Sequence, residues 1–373
     1  MAATGRRRRW ARRGAMTSIP FDFVLVRKPS VLGDLGGGSL DLVGLDNGEV
    51  GTYATLPLGH LRLPERAKGD MEAARAIVAA DLAQVDWLGS TNGRRLYAVG
   101  GSWRALARMF IEQTHHPLHV IDNFELGFFD SLRLANLIAG LSQTTLAEID
   151  MIDQKRLETL PYAALTLAVL IETARPAKVV FSAFGMREGQ MIELLPPDLR
   201  RQDPLISACE SHAERTGRFA IHGQEILDWM TPLFPAEPEA ERRLRLATCL
   251  VSDIGWSEHP DYRAIHAFFR ILRVPYPGLT HAERVEMALA VFIRYGGTMT
   301  DAWVATHLSL LGEARTLRAQ TVGLALRLAQ TLSGGAPGLL RQTALATDDK
   351  RLSLHIPPGG VVFMSSAVER RLN

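Results

Sequence analysis

Between Leu32 and Leu45 the chain reads LGDLGGGSLDLVGL, three consecutive glycines (Gly36, Gly37, Gly38) set between two apolar, strand-like runs. The runs alternate as strands do, so the glycines mark a corner from one strand into the next. Such a corner lets several backbone N–H groups converge on an anion, because no Cβ holds a phosphate oxygen away. Ser39 adds a hydroxyl donor. Asp34, at the end of the first strand, does not bind phosphate itself, since like charges repel. A carboxylate there is explained by Mg2+, or its water shell, standing between it and the phosphate. The plainer reading is a glycine hairpin with Asp34 as a turn acceptor, although three glycines exceed what a hairpin needs.

Downstream, EVGTYATLPL reads as a third strand, with Asp46, Asn47 and Gly48 as the turn before it. GDMEAARAIVAADLAQVDWL has helical periodicity, with Asp70 as N-cap. A strand (RLYAVGG), a helix capped by Ser102, an extended HPLHVIDNFEL, helices over 131–149 and 153–174, and a strand from Val179 to Ala183 follow. From about Leu194 the pattern is helical, broken by LPP, FPAEPE and RVPYPGL, until RLSLHIPPGGVVFMSS turns strand-like. The expected division is a basic tail over 1–30, an α/β lobe over 31–190 and a helical domain over 191–373.

Of 42 Lys/Arg and 40 Asp/Glu, eight basic residues but only Asp22 fall within residues 1–30, so the remainder is net acidic. An acidic body is a poor surface for nucleic acid. RRRRWARRGAM has no following apolar region and is not a secretory signal; it is expected to be a solvated tail. Cys209 and Cys249 have neither metal-ligand nor CxxC spacing and read as buried thiols of a reducing compartment, the cytoplasm. The most apolar window, Leu160 to Ile171, is too short to span a bilayer and reads as a buried helix, so no membrane partner is expected.

A second junction, YAVGGSWRAL, places Gly100 and Gly101 between a strand and a helix. These glycines and Ser102 fit a secondary phosphate or nucleoside cradle at a helix N-terminus; close strand–helix packing explains them equally well.

Taken in order, GDLGGGSLDLV, LPLGHLRL, YAVGGSWRALARM, HHPLHVIDNFEL, LPYAALTLAVL, VVFSAFGMREG, RTGRFAIHGQEILDW and CLVSDIGWSEHPDYR resemble the exopolyphosphatase / guanosine-pentaphosphate phosphohydrolase (Ppx/GppA) family. The resemblance implies the second lobe of an actin-like (ASKHA) fold followed by an HD-like helical domain, an α/β plus all-α chain. It implies a Mg2+-dependent hydrolase that removes the terminal phosphate of inorganic polyphosphate or guanosine pentaphosphate, with homodimerisation expected. By motif match, Asp34 holds the metal, and Gly36, Gly37, Gly38 and Ser39 form the second of two phosphate loops. Arg62 is a candidate for the anionic chain, with an internal salt bridge as its alternative. Arg187 and Glu188 match as a structural pair at a strand end.

The family pattern also has a preceding lobe with a first Asp-x-Gly-Ser-type loop and a glutamate that positions the attacking water. Neither precedes Val31, and residues 1–30 contain no Glu. The catalytic base is therefore unassigned. The expectation is a chain lacking most of that lobe, with a non-catalytic polyanion- or nucleotide-binding remnant as the alternative to a phosphatase. In the helical part, His222 and Asp253 resemble HD-type metal ligands, but Ser252 stands where that pattern has His. An eroded site serving as scaffold is expected there. His259 and His281 read as loop residues, and Arg263 as a candidate lining for a polyanion channel.

Overall fold

The structure, a computed structural model, describes residues 29–46, 49–149, 153–216, 222–348, 351–360, 363 and 365–372. Most of the basic tail and the Asn47-Gly48 turn lie outside the described residues. The chain forms two compact units that meet in sequence between Arg201 and Gln202.

The first unit is built on a six-stranded sheet. Strands β1 (Ser30–Leu35), β2 (Leu40–Asp46) and β3 (Glu49–Leu56) run as an antiparallel meander, as their punctuation implies. β4 (Arg95–Val99) and β6 (Lys178–Phe181) extend it in parallel, and β5 (Phe124–Gly127) closes the far edge antiparallel to β6. The order is β3-β2-β1-β4-β6-β5. Successive residues of a strand face opposite sides. Val31 and Leu35 therefore join a large helix-covered core, while Leu32, Val43, Leu45, Tyr97, Val99 and Val180 form a smaller cluster on the other face.

The helices between strands are α1 (Arg62–Arg66), α2 (Met71–Leu82), α3 (Gly101–Gln113), α4 (Phe128–Ala139), α5 (Gln143–Ala147) and α6 (Leu160–Ala174). After β6 come α7 (Met186–Glu193) and α8 (Pro197–Arg200). Asp70 caps α2 as expected, accepting from the N–H groups of Glu72 and Ala73. The apolar window is indeed a buried helix: in α6 all residues but Glu172 and Thr173 are buried, and Trp103 of α3 donates its indole N–H to Ala163 O at 3.0 Å.

Several expected boundaries move. The helix expected over 131–149 is two, broken at Gly140–Ser142, and Ser142 caps the second. Of the extended 116–126 segment only the end joins the sheet. Glu188 does not pair with Arg187; its carboxylate accepts the Gly185 N–H at 2.7 Å and closes the start of α7, leaving Arg187 exposed.

The second unit is helical, with α9 (Pro204–Thr216), α10 (His222–Met230), α11 (Glu239–Leu250), α12 (Arg263–Arg273), α13 (His281–Arg294), α14 (Ala302–Leu308) and α15 (Glu313–Ser333). A hairpin of β7 (Ala344–Asp348) and β8 (Arg351–His355) and a last helix, α16 (Ser366–Leu372), complete it. The strand-like character near the C-terminus is real, though its first strand begins upstream of the segment that signalled it. His281 is no loop residue: it opens α13, buried, behind the reciprocal capping box of Thr280 and Glu283. Cys209 and Cys249 are buried free thiols, and burial pushes Cys249 up to about 12. No helix among the described residues is long and apolar enough to cross a membrane.

Candidate functional site

The glycine corner joins β1 to β2. Gly36 N–H donates to Ser39 O at 2.9 Å, closing the turn next to the Leu35–Leu40 pair. None of Gly36, Gly37 or Gly38 has a positive φ, so left-handed backbone is not why they are glycines. Close approach is part of the reason. A Cβ on Gly37 would lie 3.0 Å from Leu61 Cδ1, whereas one on Gly38 would meet nothing within 4 Å.

The segment leading into α1 grips this corner from one side. His60 N–H reaches Gly36 O at 3.2 Å, and the N–H groups of Leu61 and Arg62 reach Gly37 O at 3.0 and 3.3 Å. His60 Nδ1 donates to the same Gly36 oxygen at 2.9 Å. Gly59 permits this, because a Cβ there would overlap the Gly37 carbonyl and the Gly38 backbone. In a trans peptide the C=O and the following N–H point in opposite directions. With the Gly36 and Gly37 carbonyls turned to residues 60–62, the N–H groups of Gly37 and Gly38 point away from that segment. Among the described residues, neither donates a hydrogen bond. Two adjacent N–H groups without acceptors among the described residues are the donors from which an anion nest can be built.

Beside these N–H groups, Asp34 and Asp41 are direct cross-strand partners on β1 and β2. Burial, and then the Asp41 charge, raise Asp34 to about 6 against the pull of Arg104. Burial likewise raises Asp41, opposed by hydrogen bonds from Thr55 and Ser39. Ser39 Oγ donates to Asp41 Oδ2 at 3.3 Å, while the buried Oδ1 of Asp41 finds no partner. Two carboxylates that repel each other, one with an orphaned oxygen, are the donor set a hard divalent cation takes up when phosphate oxygens and water supply its other ligands. No group of three or more His, Cys, Asp or Glu suited to a metal occurs among the described residues.

The second glycine junction adjoins the first. Gly100 has φ +114°, and a Cβ on it would sit 2.5 Å from Leu35 O and 3.2 Å from Asp34 Oδ1. Gly100 is therefore the N-cap of α3, and Ser102 is buried within the first turn rather than capping it. The Arg156 guanidinium packs over Gly101 and donates to Gly101 O. Arg104, in the same first turn, donates to Ala183 O at 3.2 Å. Burial lowers its pKa; Glu188 and Asp34 favour its charge, whereas Arg156 and Arg108 oppose it. Asp34, Ser39, the two glycine junctions and the Arg104 and Arg156 guanidinium groups thus belong to one neighbourhood.

Arg62 lies next to this neighbourhood only through its backbone: its N–H serves the corner and its side chain is exposed. The salt bridge in this segment belongs to Arg66, paired with Asp81 at 2.6 Å. Sequence reading missed Asp41, His60, Arg104 and Arg156. Asp41 and His60 sit within motifs already singled out, and Arg104 falls three residues after Gly101; Arg156 carries no local signal.

In the helical unit, His222 Nε2 meets Ser333 Oγ at 3.0 Å and its Nδ1 lies 3.5 Å from Glu225, while Asp253 is bound to Arg294 at 2.6 Å. Both residues that resemble HD-type ligands thus have partners inside the chain. Arg263 opens α12 with its Nε donating to Glu258 O. His259 is an exposed turn residue 3.7 Å from Asp261.

The chain is similar to Retrograde regulation protein 2 of Saccharomyces cerevisiae, 27% identical over 301 residues, covering 72% of this chain and 50% of that protein. Among solved structures it is similar to the Ppx/GppA family member of Aquifex aeolicus (17% identity, 48% of this chain and 60% of that one, TM-score 0.41). It is likewise similar to an exopolyphosphatase from Cytophaga hutchinsonii (17% identity, 48% and 59%, TM-score 0.41). The chain thus spans half the length of the yeast relative and about 60% of these structures. Residues 22–197 match the Ppx/GppA phosphatase family and residues 205–373 match the C-terminal exopolyphosphatase family. With both parts present in that order, the chain belongs to the Ppx/GppA phosphatase family.

Proposed function

We propose that the glycine corner holds the terminal phosphoryl group of inorganic polyphosphate or guanosine pentaphosphate, in a site of the kind that hydrolyses the terminal phosphoanhydride. The observation that carries this reading is the carbonyl grip: residues 60–62 occupy the Gly36 and Gly37 oxygens and turn the next two N–H groups outward. Ser39 is a further donor at the corner. The Asp34–Asp41 pair, with its unpartnered Oδ1, fits a Mg2+ ion, which when bound supplies charge neutralisation for the phosphoryl oxygens. Gly100, Gly101 and Arg156 provide a second cradle beside it for the next phosphate or the nucleoside.

In hydrolysis of this kind, water attacks the end phosphorus while amides and cations stabilise charge on the transferring group. The corner performs the second task. A second reading is binding without turnover, because the groups gathered at the corner hold the anion and its cation and none of them is assigned to the attacking water. The test is phosphate release from long-chain polyphosphate with Mg2+, comparing the wild type with the Asp34→Ala, Ser39→Ala double variant. Release above the double-variant background supports hydrolysis. Binding without release supports the second reading, and neither binding nor release removes both.

A further inference from the structure

We propose that His60 is a positioning residue for the anion at the glycine corner and that it takes up a proton when the anion arrives. The proposal rests on the reading of the corner as a phosphate site and adds a residue and a proton to it. A carbonyl oxygen has no hydrogen to give, so the 2.9 Å contact with Gly36 O fixes the proton on Nδ1. Nε2 then carries the lone pair of the neutral ring and is the atom left to accept a proton. The His60 N–H reaches the same oxygen, so one residue supplies both donors that orient the Gly36–Gly37 peptide, and with it the Gly37 N–H.

The ring is half-buried, close to the Arg156 guanidinium that covers Gly101. Burial presses it toward the neutral form, the Gly36 carbonyl pulls the other way, and Arg156 adds to the burial effect. An oligophosphate that runs from the corner to the Arg156 side of Gly101 offsets the Arg156 charge and adds its own negative field across the Gly36–Gly37 peptide, and the imidazolium becomes the favoured form. By linkage, the anion then binds more tightly as the pH falls through the range where the free ring is neutral and the bound ring is charged. The other charged groups around the corner are Asp34 on β1, Asp41 on β2, Arg62 in α1, Arg104 on α3 and Arg156 in the 154–156 turn. Asp34 titrates in a neighbouring range, so its contribution must be separated.

The experiment is calorimetric titration of the full chain with sodium tripolyphosphate and Mg2+, in two buffers of different ionisation heat. Asn in place of His60 keeps a donor where Nδ1 stands but cannot be protonated. His60→Asn should bind within about threefold of wild type near pH 8, where the ring's charge contributes least. Near pH 6.5 it should take up fewer protons than wild type, by up to about one per site, a gap that persists in an Asp34→Asn background. His60→Ala should bind about tenfold more weakly even near pH 8, because the Gly36 carbonyl loses one of its two donors.

Equal proton uptake in wild type and His60→Asn would overturn the proposal while leaving the phosphate corner intact. Wild-type affinity in a folded His60→Ala variant would overturn the positioning role. Absence of tripolyphosphate binding by the wild type would overturn the corner itself, and this role with it. Should His60→Ala fail to fold, the Asn variant carries the test alone.

Discussion

The two units treat buried charge in opposite ways. In the helical unit, Glu237 accepts from both Arg245 and Arg318, and Arg245 is wholly buried. Burial alone would raise Glu237, but the two guanidinium groups win and hold it below the usual carboxylate range. Asp203 is held low by Arg243 in the same way, and Glu225 by the N–H groups of Gly338 and Arg341. Glu286 departs from the rule, since burial still raises it despite Arg315 and Arg318. At the glycine corner of the α/β unit, by contrast, two carboxylates face each other, both are raised, and one keeps an unpartnered oxygen. Groups with partners inside the chain serve cohesion. At the corner the partners, Ser39 and Thr55 for Asp41 and the Arg104 charge for Asp34, do not outweigh burial, which is the pattern of groups that would gain from a bound cation.

The sharpest way to break this contrast is Glu237→Ala. It leaves Arg245 buried without its partner and should cost about 3–5 kcal/mol in urea unfolding of the full chain. A loss below about 1 kcal/mol would mean the arginines are solvated after all.

Asp34→Asn should act in the opposite direction. Its folded pKa is raised to about 6, so the stability contributed by the protonated carboxyl is full below about pH 4 and lost as the pH rises through 6. The variant should be the more stable protein near pH 7.5 by on the order of 2 kcal/mol, and equal to wild type near pH 4. It should also lose the tightening of tripolyphosphate binding by Mg2+. A variant less stable than wild type at the higher pH would show that Asp34 is paired like Glu237.

Smaller effects sharpen the comparison at the corner itself. Gly59→Ala drives a Cβ into the Gly37 carbonyl and should cost at least about 1 kcal/mol of stability together with anion binding. Gly38→Ala meets open space and should change stability by less than about 0.5 kcal/mol, yet weaken tripolyphosphate about tenfold. Unchanged binding in the Gly38 variant would return the corner to a plain hairpin.

The meander, the α2 cap at Asp70 and the buried α6 were legible because each is written in local sequence: alternation, a capping residue, an unbroken apolar run. The same local logic was present but overlooked at Thr280 and Glu283, whose spacing spells a capping box before His281. It misled at Ser102, since a serine two residues past a glycine looks like a cap until the φ of Gly100 is known. Asp34 and the glycines could be singled out from one loop. Arg104 and Arg156 could not, because they reach the corner through parallel strand pairing and through a turn more than fifty residues from Gly101. His60 was hidden differently: its importance lies in which carbonyl its ring touches, and no residue pattern records that.

One feature of the sheet bears on how the protein is made. β6 lies between β4 and β5 although it is the last of the three to be synthesised. As β5 leaves the ribosome its partner does not yet exist, and β4 offers an unpaired edge until residue 178 and its neighbours emerge. The nascent domain therefore carries two open ladders through the translation of α4, α5 and α6, an interval in which wrong pairings with other chains compete with the right one.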